Sequence, residues 1–354
     1  MKSVTVPFFI SHQGCPHTCL FCDQHTISGS RGDLLPSAET LLRTIELWRS
    51  TAGSRPLEVA FFGGTFTALP RNKQLALLEP LQSLLKNGTI TSVRLSTRPD
   101  YISREQVQWL AGLGVATIEL GVQSMDNGVL AASGRGHSAA DSLSAITCIK
   151  GEGVKVGAQL MPGLPEDTDI SSRASLDQVV AAGADFLRIY PTVVLRGTEL
   201  AERYRLGHYR PLSLERGIAL CAGLLHRAMV SGTPVIRIGL QADGGLSDET
   251  ILAGCWHPAL GHLVRSRLYD DLMTRVIADG DAVTIYCHPS RHSDIIGLKK
   301  AHVEKLSGRG VVVKIRTDVH LSPDEIMVAG TGGTGTYSVI NDLNYDEERG
   351  ACRA

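Results

Sequence analysis

Residues 4–22, VTVPFFISHQGCPHTCLFC, set a β-rich apolar run directly before three cysteines. Val4–Ile10 reads as a strand. Cys15, Cys19 and Cys22 follow on a segment whose loop character comes from Gly14 and Pro16. The same arrangement recurs down the chain. Leu57–Phe62 runs into Gly63-Gly64-Thr65, Thr91–Ser96 into Thr97-Arg98-Pro99-Asp100, and Ala116–Val122 into Gln123-Ser124. Lys155–Leu160 runs into Met161-Pro162-Gly163-Leu164-Pro165, and Asp185–Tyr190 into Pro191-Thr192. Helical stretches separate these runs, over about 37–50, 72–86, 103–113, 138–153 and 171–182. Strand–helix alternation of this kind predicts consecutive βα units and a parallel sheet. In a parallel barrel the strand C-termini share one face, and that face carries the active site. Unusual sequences after six successive strands therefore converge on one place.

The expected fold is α/β, a partial (β/α)6 barrel of the TIM type over residues 1–244 with a small C-terminal α/β domain over 245–354. Val235–Leu240 offers a seventh strand. In the C-terminal part we expect a helix over about 260–278, a strand Ala282–Tyr286, a helix over about 290–306 and a strand Gly310–Ile315. Ser322 and Glu325 have the spacing of a capping box for a short helix. Gly330–Gly335 reads as a glycine-rich loop without the Lys-Ser/Thr ending of a P-loop. Cys148 and Cys221 lie in apolar helical runs and read as small core residues.

Hydrophobic residues make up 43% of the 354, charged residues 20%, and the net charge is −1. That balance gives no global attraction to nucleic acid or membrane, so such binding needs a local patch. No apolar run reaches the roughly 20 residues of a membrane helix, and the first ten residues, broken by Pro7, are too short in apolar core for a secretory signal. A cytoplasmic protein is expected, and with it free thiols rather than a disulfide framework.

Three thiolates within eight residues suit one metal centre. A [4Fe–4S] cluster normally takes four, so three leave one iron open to a small ligand. The alternative is a zinc site completed by His17 and His25, holding a non-catalytic RNA-binding protein together.

The run Cys15-x3-Cys19-x2-Cys22, with aromatic Phe21 before the last cysteine, resembles the signature of radical S-adenosylmethionine (SAM) enzymes. The resemblance implies that the open iron chelates SAM, and that one electron, supplied by an external donor, cleaves it to methionine and a 5′-deoxyadenosyl radical. It also implies that Gly63, Gly64 and Thr65 contact the methionine amino group. Gln123 and Arg135 would meet the carboxylate and ribose, Gln159 would stand where relatives carry a ribose-binding Asp, and Met161 would flank adenine. No catalytic residue is assigned. Within the superfamily, Phe62–Thr67, Thr97–Tyr101, Glu119–Ser124, Arg135-Gly136-His137 and Met161–Pro165 are most similar to the catalytic subunits of Elongator, without their acetyltransferase domain. That likeness implies tRNA as substrate. A small metabolite or a tetrapyrrole is the alternative, since the barrel also resembles oxygen-independent coproporphyrinogen oxidases.

Two basic regions suggest RNA contacts. Arg203, Tyr204, Arg205, Tyr209 and Arg210 mix cations with aromatics. Residues 281–320 hold seven Lys/Arg against four Asp/Glu, among them Lys299, Lys300, Lys305, Arg309, Lys314 and Arg316. For the second region a solvated helix face and strand edge is the preferred reading.

Overall fold

The computed structural model describes residues 3–16, 18–29, 34–241, 246–247 and 249–345. His17, Cys352 and the expected domain boundary at 244–245 lie outside the described residues. The strands in chain order are β1 (Val4–Phe9), β2 (Leu57–Phe62), β3 (Ser92–Thr97), β4 (Val115–Gln123), β5 (Lys155–Leu160), β6 (Phe186–Ile189) and β7 (Val193–Leu195). They continue with β8 (Val235–Ile238), β9 (Ile251–Gly254), β10 (Ala282–Cys287), β11 (Val312–Thr317), β12 (Glu325–Gly330) and β13 (Gly333–Ser338). The chain divides into two compact units, 1–213 with 240–256, and 214–239 with 257–354.

In the first unit β1 to β6 pair in parallel and in sequence order, as the strand–helix rhythm predicts. Side chains of one parity are apolar and buried: Val6, Phe8, Val59, Phe61, Val93, Leu95, Ile118, Leu120, Val156, Ala158, Leu187 and Ile189. They supply the hydrophobic stabilisation of the sheet, at roughly 1.5–3 kcal/mol for each fully buried large side chain. The helices between the strands start where their caps dictate. Ser37 accepts from the Thr40 N–H, and Ser138 and Asp141 form a reciprocal capping box for Ala139–Gly151. The stretch 72–86 is not one helix. Pro80 cannot donate, so it breaks into Arg71–Leu78, a 3₁₀ turn Glu79–Leu81, and Gln82–Lys86.

Side chains of the opposite parity build a charged interior in place of the apolar layers that usually fill a barrel. Glu119 on β4 accepts from Arg94 Nη1 at 2.6 Å and pairs with Arg188 Nε at 2.7 Å. Arg94 also bonds Glu58 at 2.8 Å, and Arg188 donates to the Tyr190 hydroxyl at 2.9 Å. The guanidinium of Arg94 lies 5.2 Å from the centre of the Phe186 ring, and that of Arg188 lies 5.3 Å from Phe62. Gly157 makes room for this packing, because a Cβ there would meet the Phe186 ring at 2.3 Å. The antiparallel ribbon of β7 and β9 completes the unit.

The second unit holds β8, over the expected seventh strand, and a four-stranded mixed sheet in the order β11-β10-β12-β13. β10 and β11 are parallel; β12 and β13 run antiparallel to their neighbours. Three expectations fail here. Ser322 and Glu325 do bond, Ser322 N–H to Glu325 Oε2 at 3.1 Å, but they close a turn that enters β12 rather than a helix. Gly330–Gly335 is the tight end of the β12–β13 hairpin, with Gly330 paired to Gly333. The expected helix over 290–306 is likewise interrupted, at Gly297. Cys221 is buried as expected, whereas Cys148 is half-buried.

Candidate active site

The cysteine loop sits on the β2 turn, and glycine makes the contact possible. Gly64 adopts φ +62°, and a Cβ there would lie 2.4 Å from the Gln13 carbonyl oxygen and 2.6 Å from that of Ile10. From the other side, a Cβ on Gly14 would lie 2.3 Å from the Thr65 carbonyl oxygen. The two loops therefore touch backbone to backbone, which side chains would prevent. Thr65 N–H donates to Gln13 O at 2.8 Å, and Ile10 N–H to Phe62 O at 2.8 Å. Gln24 fastens the joint. Its Oε1 accepts from the N–H of His12 at 2.6 Å and of Gly64 at 2.7 Å, and its own N–H donates to His12 Nε2 at 3.0 Å. Asp23 caps the short helix Gln24–Ser28 that holds this residue in place.

The three sulfurs meet different neighbours. Cys15 Sγ is 3.5 Å from the hydroxyl of Thr65, a residue with no exposed surface. Cys19 Sγ accepts from Arg135 Nη1 at 3.2 Å, and Arg135 Nη2 donates to Gly121 O at 2.6 Å. Cys22, Cys19 and Phe21 share an apolar cluster with Met161, Leu164, Val194 of β7, Leu200 and Leu252 of β9. Burial in that shell, and then the neighbouring thiolates Cys19 and Cys15, push the Cys22 thiol up to about 12. Burial also raises Cys15, against the lowering hydrogen bond from Thr65. Arg98, bidentate to Asp100, lies close enough for the charges of Cys19 and Cys15 to act on it. His25 faces the His12 ring at 5.1 Å. Among the described residues no three His, Cys, Asp or Glu side chains converge tightly enough to hold a single metal ion.

The rim continues at the end of β4. Gln123 has φ +68° at a register shift between β4 and β5, a backbone state that a non-glycine residue adopts at a cost. The bend is held by Met161 N–H donating to Gln123 O at 2.8 Å, and it brings the Gln159 amide to 3.4 Å from Gln123 Oε1. Gly121 leaves the space: a Cβ there would be 2.9 Å from Gln123 Nε2 and 3.3 Å from Arg135 Nη2. His137 is buried beside them, its Nε2 3.2 Å from Val122 O, and desolvation followed by the Arg135 charge lowers it to about 4.

Phe21, Gly63, Gly64, Thr65, Gln123, Arg135, Gln159 and Met161 thus gather with the cysteines at the C-terminal end of the strands. Sequence reasoning passed over Gln24, Arg98 and the interior charges as members of this region. Arg98 stood in a segment already marked as unusual, whereas Gln24 carried no signal beyond its place two residues after the last cysteine. The other basic-aromatic run is partly engaged within the chain, with Tyr204 and Arg210 exposed. Arg203 pairs with Glu199, Arg205 with Glu202, and the buried Tyr209 hydroxyl donates to Gly163 O.

Residues 9–179 match the radical SAM superfamily and residues 184–270 the radical SAM C-terminal domain. An uncharacterised protein of Methanocaldococcus jannaschii is 30% identical over 224 residues, covering 60% of this chain and 68% of its own. The chain belongs to the radical SAM superfamily. Superfamily membership makes it an enzyme whose cofactors are a [4Fe–4S] cluster and SAM. The tRNA uridine(34) acetyltransferase of Methanocaldococcus infernus is 29% identical over 244 residues, which are 58% of this chain and 46% of that protein. The chain therefore spans about half the length of that relative. In fold it is similar to Elp3 of the same organism lacking residues 1–46, with a TM-score of 0.62, 20% identity, and coverage of 96% of this chain and 76% of that one. The half-barrel architecture and the separate C-terminal unit are those the sequence predicts. No helix among the described residues is long and apolar enough to cross a membrane.

The donor set fits the cluster. Cys19 and Cys22 lie in a shell of apolar side chains, Cys19 is bonded to the Arg135 guanidinium, and Cys15 and Cys19 lie within the field of Arg98. Cationic neighbours offset the charge that three thiolates bring into a low-dielectric site.

Proposed function

We propose that Cys15, Cys19 and Cys22 hold a [4Fe–4S] cluster with one iron left for SAM, and that the enzyme cleaves SAM reductively to act on tRNA. The observation that carries this reading is the backbone-to-backbone seating of the cysteine loop on the Gly63–Thr65 turn, with Arg135 on Cys19. When bound, the cluster supplies the electron that splits the sulfonium, and an external donor must replace it.

The chain's own residues bind and orient. The N–H groups of Gly64 and Thr65 are already given to Gln24 and Gln13. The turn therefore offers carbonyl oxygens, the acceptors that a methionine ammonium needs. Arg135 and Gln123, at the other side of the rim, suit the carboxylate and the ribose, and Gln159 and Met161 suit the adenosine beyond. Phe21, Met161 and the β7–β9 ribbon keep water from the Cys19 and Cys22 sulfurs.

tRNA as the substrate class rests on the uridine-modifying relative, of which this chain spans about half, so the acetyl-transfer half of that activity is not assigned. Comparison of total tRNA nucleosides between a deletion strain and its parent, by liquid chromatography and mass spectrometry, tests the proposal. A modified uridine should disappear. An unchanged profile would remove tRNA as the substrate.

A further inference from the structure

We propose that the open face of the four-stranded sheet in the second unit binds single-stranded RNA. The register fixes what that face displays. On β11, Lys314 and Arg316 alternate with the half-buried Val313 and Ile315. Thr284 of β10 is paired with Lys314, and Tyr286 with Arg316. The rows continue through Ala329 and Met327 on β12 to Thr334 and Thr336 on β13. The opposite parity, Val283, Ile285, Cys287, Ile326 and Val328, is buried. The sheet is thus covered on one side only, and Val312, at the end of the Lys314 and Arg316 row, is 64% exposed.

The chemistry of the exposed side is specific. Arginines elsewhere in the molecule are largely engaged: Arg94, Arg98, Arg104, Arg188, Arg203, Arg205, Arg267 and Arg309 all pair with carboxylates. Among the described residues the side chains of Lys314 and Arg316 form neither an ion pair nor a hydrogen bond, and the Tyr286 hydroxyl bonds nothing. Two residues along a strand put the cations about 7 Å apart, on a row bordered by a tyrosine ring and threonine hydroxyls. Of the acids in register with this face, Glu325 accepts from the Ser322 N–H, and Asp318, one residue past β11, accepts from the His320 N–H. Cations for phosphates, an aromatic face for one unstacked base and hydroxyls for its edges are what an open sheet uses to hold single-stranded RNA. A duplex, whose bases are stacked away, cannot use the tyrosine.

The choice of RNA over DNA rests on the tRNA reading above; the surface itself does not depend on radical chemistry. The test measures binding of a fluorescein-labelled, uridine-containing single-stranded RNA by anisotropy, with its duplex as comparison. The full-length chain should prefer the single strand. The double variant Lys314→Ala, Arg316→Ala should weaken it and flatten the dependence of log Kd on log salt by about 1.4, at about 0.7 per phosphate contact. Tyr286→Ala should weaken binding about 5- to 150-fold, the range of one lost base stack, and Tyr286→Phe should restore it. Circular dichroism and thermal melting establish that the variants remain folded. Absence of binding by the parent protein, equal binding of the duplex, or variants that bind like the parent would each overturn the proposal. If binding ignores these residues while the deletion strain lacks a nucleoside, this surface is wrong and the tRNA reading stands. If binding depends on them while the nucleosides are unchanged, only the tRNA reading falls.

Discussion

Replacing Gly64 by alanine adds one methyl group at the joint on which the site depends. The residue sits at φ +62°, where an L-residue costs about 1–2 kcal/mol. The new Cβ would also lie 2.4 Å and 2.6 Å from two carbonyl oxygens, both backbone and both in the cysteine loop. Neither can swing away as a side-chain end could. Relief comes only by lifting the loop, which breaks the Thr65–Gln13 bond and takes Gln24 from its two donors. Overpacking of this kind adds about 1–3 kcal/mol, for a total of about 2–5 kcal/mol. Gly88 supplies the control: its φ is +76°, and a Cβ there meets nothing within 4 Å. Gly88→Ala should thus show the backbone cost alone. The assay is urea denaturation of both variants together with iron and sulfide content after anaerobic reconstitution. Gly64→Ala should be less stable than Gly88→Ala by the overpacking increment and should retain less than half the iron of the parent, while Gly88→Ala retains it all. Equal stability losses and full iron in both would show that the close approach does not hold the cysteine loop.

Glu119, 5% exposed at its side chain, accepts from two arginines, so Glu119→Ala leaves both without their shared partner and should cost about 3–5 kcal/mol in urea denaturation. Glu119→Gln, which keeps the oxygen acceptor, should cost less. His137, lowered from 6.5 to about 4 by burial and Arg135, stays neutral in the folded chain near neutral pH. Because its folded pKa is depressed, its contribution is present above pH 6.5 and is lost as pH falls toward 4, by up to about 3 kcal/mol. His137→Gln should therefore flatten the acid limb of the stability profile in that window, measured as urea midpoints against pH; an unchanged slope would mean that His137 does not titrate as described.

The strands that carry the site were readable because each is an apolar run ended by glycine, proline or a polar break. Parallel pairing in sequence order then follows from the helices between them. The interior charges were visible as single residues, Glu58, Arg94, Glu119 and Arg188, inside such runs. Their partners depend on inter-strand register, which no local pattern encodes. β7 and β9, three and four residues long, are too short for periodicity to show. Ser322 and Glu325 misled because the same hydrogen bond closes a turn as readily as it caps a helix. The cysteines announced themselves by spacing, but Gln24, which holds their loop to the turn, is one glutamine among many until the fold brings it there.

The most direct test of the account is electron paramagnetic resonance of the anaerobically reconstituted protein, reduced with dithionite, before and after addition of SAM. A reduced [4Fe–4S]⁺ signal is expected that changes on SAM addition, accompanied by 5′-deoxyadenosine, and absent when Cys15, Cys19 or Cys22 is replaced by serine. Stoichiometric zinc with no such signal, or a signal that persists in the serine variants, would contradict it.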